Sequence, residues 1–377
     1  MEAQHRQRLR QWEPLKQTYA TPVLLASISL LLMVLANMCY LSGTTHNQQQ
    51  RTSALNILFL DLDGGPVGSS IWQASGDLQS PSFPTVKKGH DGISEWFAGK
   101  LNGTVAAQAE IPLVTYSYNQ AKFPAISDGL LQGNILKIIN SSRNKYLSAM
   151  GAQNLTGFSG EAVFTTSIQA AADLIQVTPQ GARVLYNTVN MIIPTLGQFF
   201  FMLALNIIGQ FSGFLSQVRV RDVWVLRFVC GKLYTILISL VVPGYIWAFR
   251  GEWPVGSQEF GKTFLAYLLY MDTQWQFLDT FTGSFVSMPF MPHFLLTWII
   301  LNVSSTIFPF ELMPGWYRIG WAMPAHSIYA LLISAWSGCG QDLHIVLPVL
   351  FAWWVVGHVT AVFSIRKRCR DAAKMAA

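Results

Sequence analysis

Pro22–Leu41, PVLLASISLLLMVLANMCYL, is an uncharged run of 20 apolar and small residues, and it decides the fold class. At about 1.5 Å per residue, a helix of that length crosses a hydrocarbon core of roughly 30 Å. The polar segment 42–190 intervenes before the next apolar stretch, Met191–Leu215. Four more follow at Leu233–Phe249, Phe260–Val286, Phe290–Phe310 and Leu343–Ile365. The pattern predicts an α-helical polytopic membrane protein with six transmembrane helices, one plus five. An α/β insert lies on the extracytosolic side between helices 1 and 2. Residues 1–21 and 366–377 are short basic tails, and 191–365 form the membrane domain.

Composition agrees with this reading. Hydrophobic residues make up 51% and charged residues 12%, about half the charged share of soluble domains. A pI near 9.1 would suggest nucleic acid in a soluble chain, but topology places the charge here, and no nucleic-acid partner is expected. Basic residues cluster in the N-terminal tail (Arg6, Arg8, Arg10, Lys16), between the second and third spans (Arg219, Arg221, Arg227, Lys232) and in the C-terminal tail (Arg366, Lys367, Arg368, Arg370, Lys374). With six spans and both termini cytosolic, all three clusters face the cytosol, as the positive-inside rule requires. The expected location is the plasma membrane or an endomembrane.

The first span is read as a retained anchor. It exceeds the 7–15 residue core of a signal peptide, and Cys39-Tyr40-Leu41 is a poor small-residue cleavage site. The cysteines Cys39, Cys230, Cys339 and Cys369 are scattered, with no disulfide framework in the insert and no metal-ligand spacing. Neither a metal nor a cofactor is expected.

Within the insert, Leu55–Leu60 and Ile111–Tyr118 read as strands and Gly92–Leu101 as helix. The apolar residues Leu130, Leu131, Ile135, Ile138, Ile139, Tyr146 and Leu147 recur at roughly helical spacing. Asn102, Asn140 and Asn154 head acceptor sequons for N-glycosylation. The run Ile57–Gly65 imitates the Asp-x-Asp-Gly-Thr strand end of haloacid-dehalogenase-type phosphatases, with Asp61 and Asp63 at the two acidic positions. Gly65 replaces the Thr, no second acidic strand end follows, and Trp72 stands where an EF-hand needs its bidentate Glu. The simpler reading is a strand and a Gly-rich turn whose Asp residues cap backbone amides.

In the membrane half, Arg219, Arg221 and Arg227 alternate with apolar residues, so 217–232 reads as an interfacial helix against lipid headgroups. Gly209 and Gly213 form a Gly-x-x-x-Gly contact face suited to a homo-oligomer, with Ser212 and Ser216 beside it. Pro194 marks the start of the second span, and Pro243-Gly244 should kink or end the third. The fourth span is interrupted by Asp272, Thr273, Gln274, Gln276, Asp279 and Thr280. A carboxylate at the bilayer centre costs roughly 2.5–3.5 kcal/mol, so such a group should face protein or water. Asp272, Gln276 and Asp279 therefore mark a polar substrate pathway. Alternatively the span is shorter than drawn, and Asp279, for which this is the favoured reading, reaches the cytosolic headgroups. Residues 310–326 are too apolar for a solvated loop and too rich in Pro and Gly for one helix, which predicts a re-entrant hairpin over the outer mouth. Glu311 and Arg318 are its main charges and form an expected pair. Tyr317 belongs at headgroup level and His326 closes the segment.

The turn Leu60–Gly65, then Trp298-Ile-Ile-Leu-Asn302, Phe308-Pro-Phe-Glu-Leu-Met-Pro-Gly315-Trp-Tyr317-Arg318 and Gly320-Trp-Ala-Met-Pro324-Ala-His326, in this order, resemble the fungal nitrosoguanidine-resistance membrane protein family. That family is distantly related to the membrane subunits of type-2 ABC exporters and to phage-infection-type proteins. The resemblance implies a type-2 ABC-exporter-like fold in which 217–232 corresponds to the helix that touches an ATPase. The chain is not expected to hydrolyse ATP itself, although Gly256–Thr263 spells the bare Gly-x-x-x-x-Gly-Lys-Thr pattern. Three functions follow as expectations. The leading one is a transporter-like protein that confers resistance to toxic lipophilic small molecules or adjusts the bilayer, with membrane lipids as partners. The second is a non-transporting scaffold or lipid-stress regulator. The third is an enzyme acting on a lipophilic metabolite through Asp272, Asp279 or His326, although no catalytic residue is assigned.

Overall fold

The computed structural model describes residues 48–62, 64–89, 114–119, 123, 126–151, 168, 170–175, 189–211, 214–248, 250, 253, 255–338 and 343–376, with scattered positions between 25 and 44. Most of the first span lies outside them, although Leu25, Ile28, Leu32, Ala36, Cys39 and Tyr40 are helical. The stretch 92–101 and Asp63, Asn102 and Asn154 lie outside them too.

The insert contains β1 (Asn56–Phe59), α1 (Pro66–Leu78), β2 (Thr85–Lys88), β3 (Val114–Asn119), α2 (Gly133–Gly151) and β4 (Ala170–Ile175). β1 pairs in parallel with β2, Asn56 opposite Thr85, and β3 pairs in parallel with β4, Val114 opposite Ala170. Parallel pairs need a crossover, and α1 supplies it between β1 and β2. Ile71 of α1 and Ile138 of α2 pack with Ile57, Phe59 and Val86, which gives the insert its own small core. Asp61 accepts a hydrogen bond from the Gly64 N–H at 3.1 Å, a turn-capping role. A Cβ on Gly68 would overlap the Asp61 carboxylate, so the side chain lies against the start of α1, where the helix dipole favours negative charge.

The bundle follows as α3 (Asn190–Phe211), the short α4 (Phe214–Gln217), α5 (Val220–Ala248), α6 (Ser257–Ser284), α7 (Met291–Ile307), α8 (Pro324–Ser337) and α9 (Leu343–Ala376). Among the described residues, four helical segments are long and apolar enough to cross a membrane: Asn190–Gly209, Val220–Ala248, Met288–Ile307 and Leu343–Lys374. Pro194 and Pro243 lie inside α3 and α5, and α5 continues past Pro243 to Ala248. α6 is set apart by its polar content, and 13 of its residues are buried, including Asp272, Gln274, Gln276 and Asp279. It packs against α9, α5, α8 and α3 and so lies at the centre of the bundle. Its start is fixed by Glu259, whose carboxylate accepts the Gly256 N–H at 2.8 Å. Hydrogen bonds from backbone N–H groups, its own first, hold that carboxyl below the usual carboxylate range.

Between α7 and α8 the chain makes two 3₁₀ turns, Phe310–Leu312 and Gly315–Ala322. Asn302 of α7 accepts the Ala325 N–H at 3.1 Å and so caps the first turn of α8. Trp336, near the other end of α8, donates to Thr263 in the second turn of α6 at 2.9 Å. The chain therefore folds back to the level of Asn302 before α8 leads it out to the start of α6. The insert docks on this region. Arg51 donates to the Leu312 carbonyl at 2.7 Å, and the Phe123 N–H donates to the Tyr329 hydroxyl at 2.8 Å. Phe123 and Ile126 share one core with Met191, Tyr267, Leu312 and Tyr329.

Candidate functional site: a charged seam along the central helix

Asp272, Gln276 and Asp279 stand at i, i+4 and i+7 of α6, which puts them on one helix face. All three are buried, at 6%, 6% and 5% exposure. α9 covers that face. Trp354 donates its indole N–H to Asp272 Oδ2 at 2.6 Å, Gln276 packs against Gly357, and Arg368 reaches Asp279. α5 supplies the remaining charges through Arg227 and Lys232, which face α6.

Asp279 is shared by two arginines. Arg227 Nη2 lies 2.5 Å and Arg368 Nη1 3.2 Å from Oδ1, and Arg368 Nη2 donates to the Asp279 backbone carbonyl at 2.7 Å. Asn206 of α3 accepts from both guanidinium groups, at 2.8 and 3.1 Å. Four helices thus meet on one carboxylate. Gly283 makes room for this, because a Cβ there would overlap the Arg368 guanidinium. Both guanidinium groups are at least nine-tenths buried, so the group carries a sealed net charge of +1.

The headgroup placement for Asp279 is therefore corrected. Two arginines reach it inside the bundle, and paired burial replaces solvation. The reading of 217–232 as a separate interfacial helix changes as well. Past a bend at Val218 and Arg219, residues 220–232 are the first turns of α5. Arg219 and Arg221 are exposed there, while Arg227 is 8% exposed and turned inward. Trp224 and Phe228 stack on the outer face, ring centroids 5.2 Å apart. α9 likewise runs unbroken through 366–376, which brings Arg368 into the seam.

Around Asp272 the chemistry differs. Lys232 makes an ion pair with Oδ2, and His358 Nε2 is 3.6 Å from the same oxygen. Lys232 Nζ and His358 Nε2 are 3.0 Å apart, and His358 Nδ1 is 2.8 Å from the Trp354 carbonyl. A carbonyl only accepts, so Nδ1 carries the proton, and Nε2 of the neutral ring accepts from the Lys232 ammonium. The ammonium also lies 5.1 Å from the Phe228 ring centroid and 5.9 Å from that of Trp354, within cation–π range. Unlike the arginines, Lys232 and His358 keep 27% and 24% of their side-chain surface exposed. The Asp272 site is connected to the bundle surface.

A second polar row faces α3 and α7. Gln198 donates to the Met271 carbonyl at 2.9 Å, and Trp298 donates to Gln274 Oε1 at 2.8 Å. A recess lined by Thr195, Tyr270, Gln274 and Asn302 lies beside them.

In the segment 310–326 Glu311 and Arg318 are both exposed, and no ion pair between them occurs among the described residues. This corrects the expected pair: the hairpin backbone is held instead by Arg51 and the 3₁₀ turns. Tyr317 stacks obliquely on Tyr40, centroids 4.9 Å apart. His326 is buried between Phe310 and Trp321 and contacts the Ser305 carbonyl at 3.3 Å. Gly209 packs on Leu215 of α4, and Gly213 lies outside the described residues. Asn140 is exposed on α2, but the Ser142 hydroxyl of its sequon is fully buried on the Ile139 carbonyl. Among the described residues no cluster of His, Cys, Asp or Glu could hold a metal ion.

Residue-by-residue reading missed Asn206, Trp354 and His358, and it placed Lys232 and Arg368 among cytosolic charges. The available signal was the unpaired pair of carboxylates on α6, which require cations from neighbouring helices.

These features define a helical membrane protein in which apolar helices enclose a polar, charged one. The chain belongs to the family described as "Protein of unknown function (DUF3533)", whose model matches residues 26–359. The match includes Lys232, Asp272 and His358 and ends before Arg368. No curated protein and no solved structure matches the chain.

Proposed function

We propose that this is a transporter-like membrane protein that moves lipophilic small molecules or lipids and so lowers exposure to toxic compounds. Asp272 is its working centre. The observation that carries the reading is the contrast along one helix face. Asp279 is locked by two sealed arginines, whereas Asp272 is held by two partly exposed bases. A buried carboxylate is costly and is retained in membrane helices mainly at ion, proton or substrate sites. In this reading α6 crosses the bilayer with the four apolar helices and the first span, giving the six-span arrangement. The likeness to nitrosoguanidine-resistance and type-2 exporter proteins supports the same class. Gly256–Thr263 spells the bare Gly-x-x-x-x-Gly-Lys-Thr pattern, but its intervening residues are the first turn of α6 and not a loop that could cradle phosphates, so in this reading energy comes from a partner ATPase or an ion gradient.

The scaffold reading has its own support in the Asp279 clamp, which joins four helices and by itself suits a static bundle. Transport by the purified protein in lipid vesicles separates the two. Asp272→Asn should abolish movement of a lipophilic dye at normal protein abundance. Dye movement equal to wild type in that variant would remove Asp272 from the mechanism.

A further inference from the structure

We infer that His358 is a proton-binding site, and that its protonation hands the Asp272 carboxylate from Lys232 to His358. This rests on the transporter reading only for its purpose, a proton gradient as the energy source. The geometry stands without it. The Nδ1–H is committed to the Trp354 carbonyl, so Nε2 holds the only free lone pair of the ring, and the Lys232 ammonium donates to it at 3.0 Å. A proton arriving at Nε2 takes that lone pair, and the lysine contact must break because both groups are then cationic donors. The new Nε2–H finds Asp272 Oδ2 3.6 Å away, reachable by a small ring movement. Asp272 Oδ1 is buried with no hydrogen-bond partner among the described residues, which gives the carboxylate a second acceptor. Lys232 is released toward the bundle surface, where part of its side chain already lies. Loss of the proton reverses each step, so one proton is taken up and one returned per cycle.

Among the described residues, the charged and titratable groups facing His358 are few. α5 brings Lys232, and α6 brings Asp272. The helix α4 carries no titratable side chain. From α8, the His326 ring contacts Ser305, and the Tyr329 hydroxyl engages Phe123 instead. Asp279, Arg227 and Arg368 form their own group two helical turns further along α6.

Trp354 supplies an optical readout, because its ring centroid lies 4.3 Å from that of His358 and an imidazolium quenches indole emission. Purified full-length protein in nanodiscs is titrated from pH 8 to pH 5 by tryptophan fluorescence. The expected result is one quenching step with single-proton steepness, absent from both His358→Gln and Trp354→Phe. Lys232→Met should move its midpoint up, and Asp272→Asn should move it down, each by about tenfold in proton affinity. A step that survives in His358→Gln, or a midpoint indifferent to both charge variants, overturns the proposal. Ethidium movement in proteoliposomes under an imposed pH gradient tests the transporter reading separately. A titrating His358 without gradient-driven dye movement supports the proton site and sinks that reading, whereas no titration sinks the proton site whatever the vesicles do.

Discussion

Replacing Asp279 with Asn removes the one negative charge shared by two buried guanidinium groups, and the cost follows from the geometry. At the 3.2 Å separation of Arg368 from Asp279, two unit charges attract by about 5 kcal/mol at an effective dielectric constant of 20. Dehydration of both groups offsets part of that gain. Removing one partner of a buried pair still costs roughly 3–5 kcal/mol, because the other charge is stranded. Here the substitution strands two cations, raising the sealed charge from +1 to +2, and Asn206 cannot neutralise either. Losing one arginine acts in the opposite sense. Arg368→Met leaves Arg227 and Asp279 as a neutral pair, and the surrounding polar atoms lose only hydrogen bonds. Asp279→Asn should therefore be the most destabilising single change in the group, lowering the melting temperature by on the order of 10 °C. Arg368→Met should cost clearly less, and adding it to Asp279→Asn should recover part of the loss. Thermal unfolding of the purified variants, followed by size-exclusion chromatography in one detergent, measures all three. If Arg368→Met proves as damaging as Asp279→Asn, the charge argument fails and packing alone holds the cluster.

Four further outcomes are expected. Gly283→Ala pushes a methyl group into the Arg368 guanidinium and should reproduce the Arg368→Met melting temperature, since the arginine must leave Asp279 to make room. Gly231→Ala places a Cβ within 3 Å of the Trp275 indole, so near-ultraviolet circular dichroism should change and yield should fall. Exposed Arg219 and Arg221, each contributing about 1 kcal/mol near a charged leaflet, should tolerate Glu with weaker binding to anionic vesicles, whereas Arg227→Glu should lower folded yield. In a eukaryotic host, Asn102, Asn140 and Asn154 changed together to Gln should abolish a glycosidase-sensitive mass shift, and protease access to 42–190 from the cytosolic side of sealed vesicles would refute the orientation.

The apolar runs were readable because lipid-facing and protein-facing residues of α3, α5, α7 and α9 are both apolar, so hydropathy alone marks them. Strand β1 falls inside the stretch Leu55–Leu60, while β3 and the long helix α2 overlap the marked stretches and run past their ends to Asn119 and Gly151. The charged seam was less visible, for a physical reason. A hydropathy window treats Arg227, Lys232 or Arg368 as the edge of a span, because an isolated cation belongs in water. Each of these cations instead meets a carboxylate on α6, so the helix continues through it. α5 consequently begins at Val220, 13 residues before the apolar run at Leu233. The pairing depends on relative depth and rotation of helices distant in sequence: Lys232 and His358 are 126 residues apart. No local pattern encodes that. The i, i+7 spacing of the two carboxylates was legible, and it correctly placed both on one face.

That spacing also constrains how the bundle can rearrange. Asp272 and Asp279 are two helical turns apart, about 10 Å along α6, and both face α9 with α5 alongside. At Asp279 the contacts are redundant, since Arg368 binds the side chain and the backbone carbonyl while Arg227 and Asn206 bind around it. At Asp272 the partners compete, because Lys232, His358 and Trp354 all address Oδ2 and Oδ1 has none among the described residues. Redundant contacts resist the loss of any one of them, whereas competing contacts exchange when a single charge changes. A rearrangement that parts Asp272 from Lys232 would therefore leave α5, α6 and α9 joined at Asp279. Those helices can then tilt about that end, but they cannot slide past one another without breaking the more strongly held cluster first.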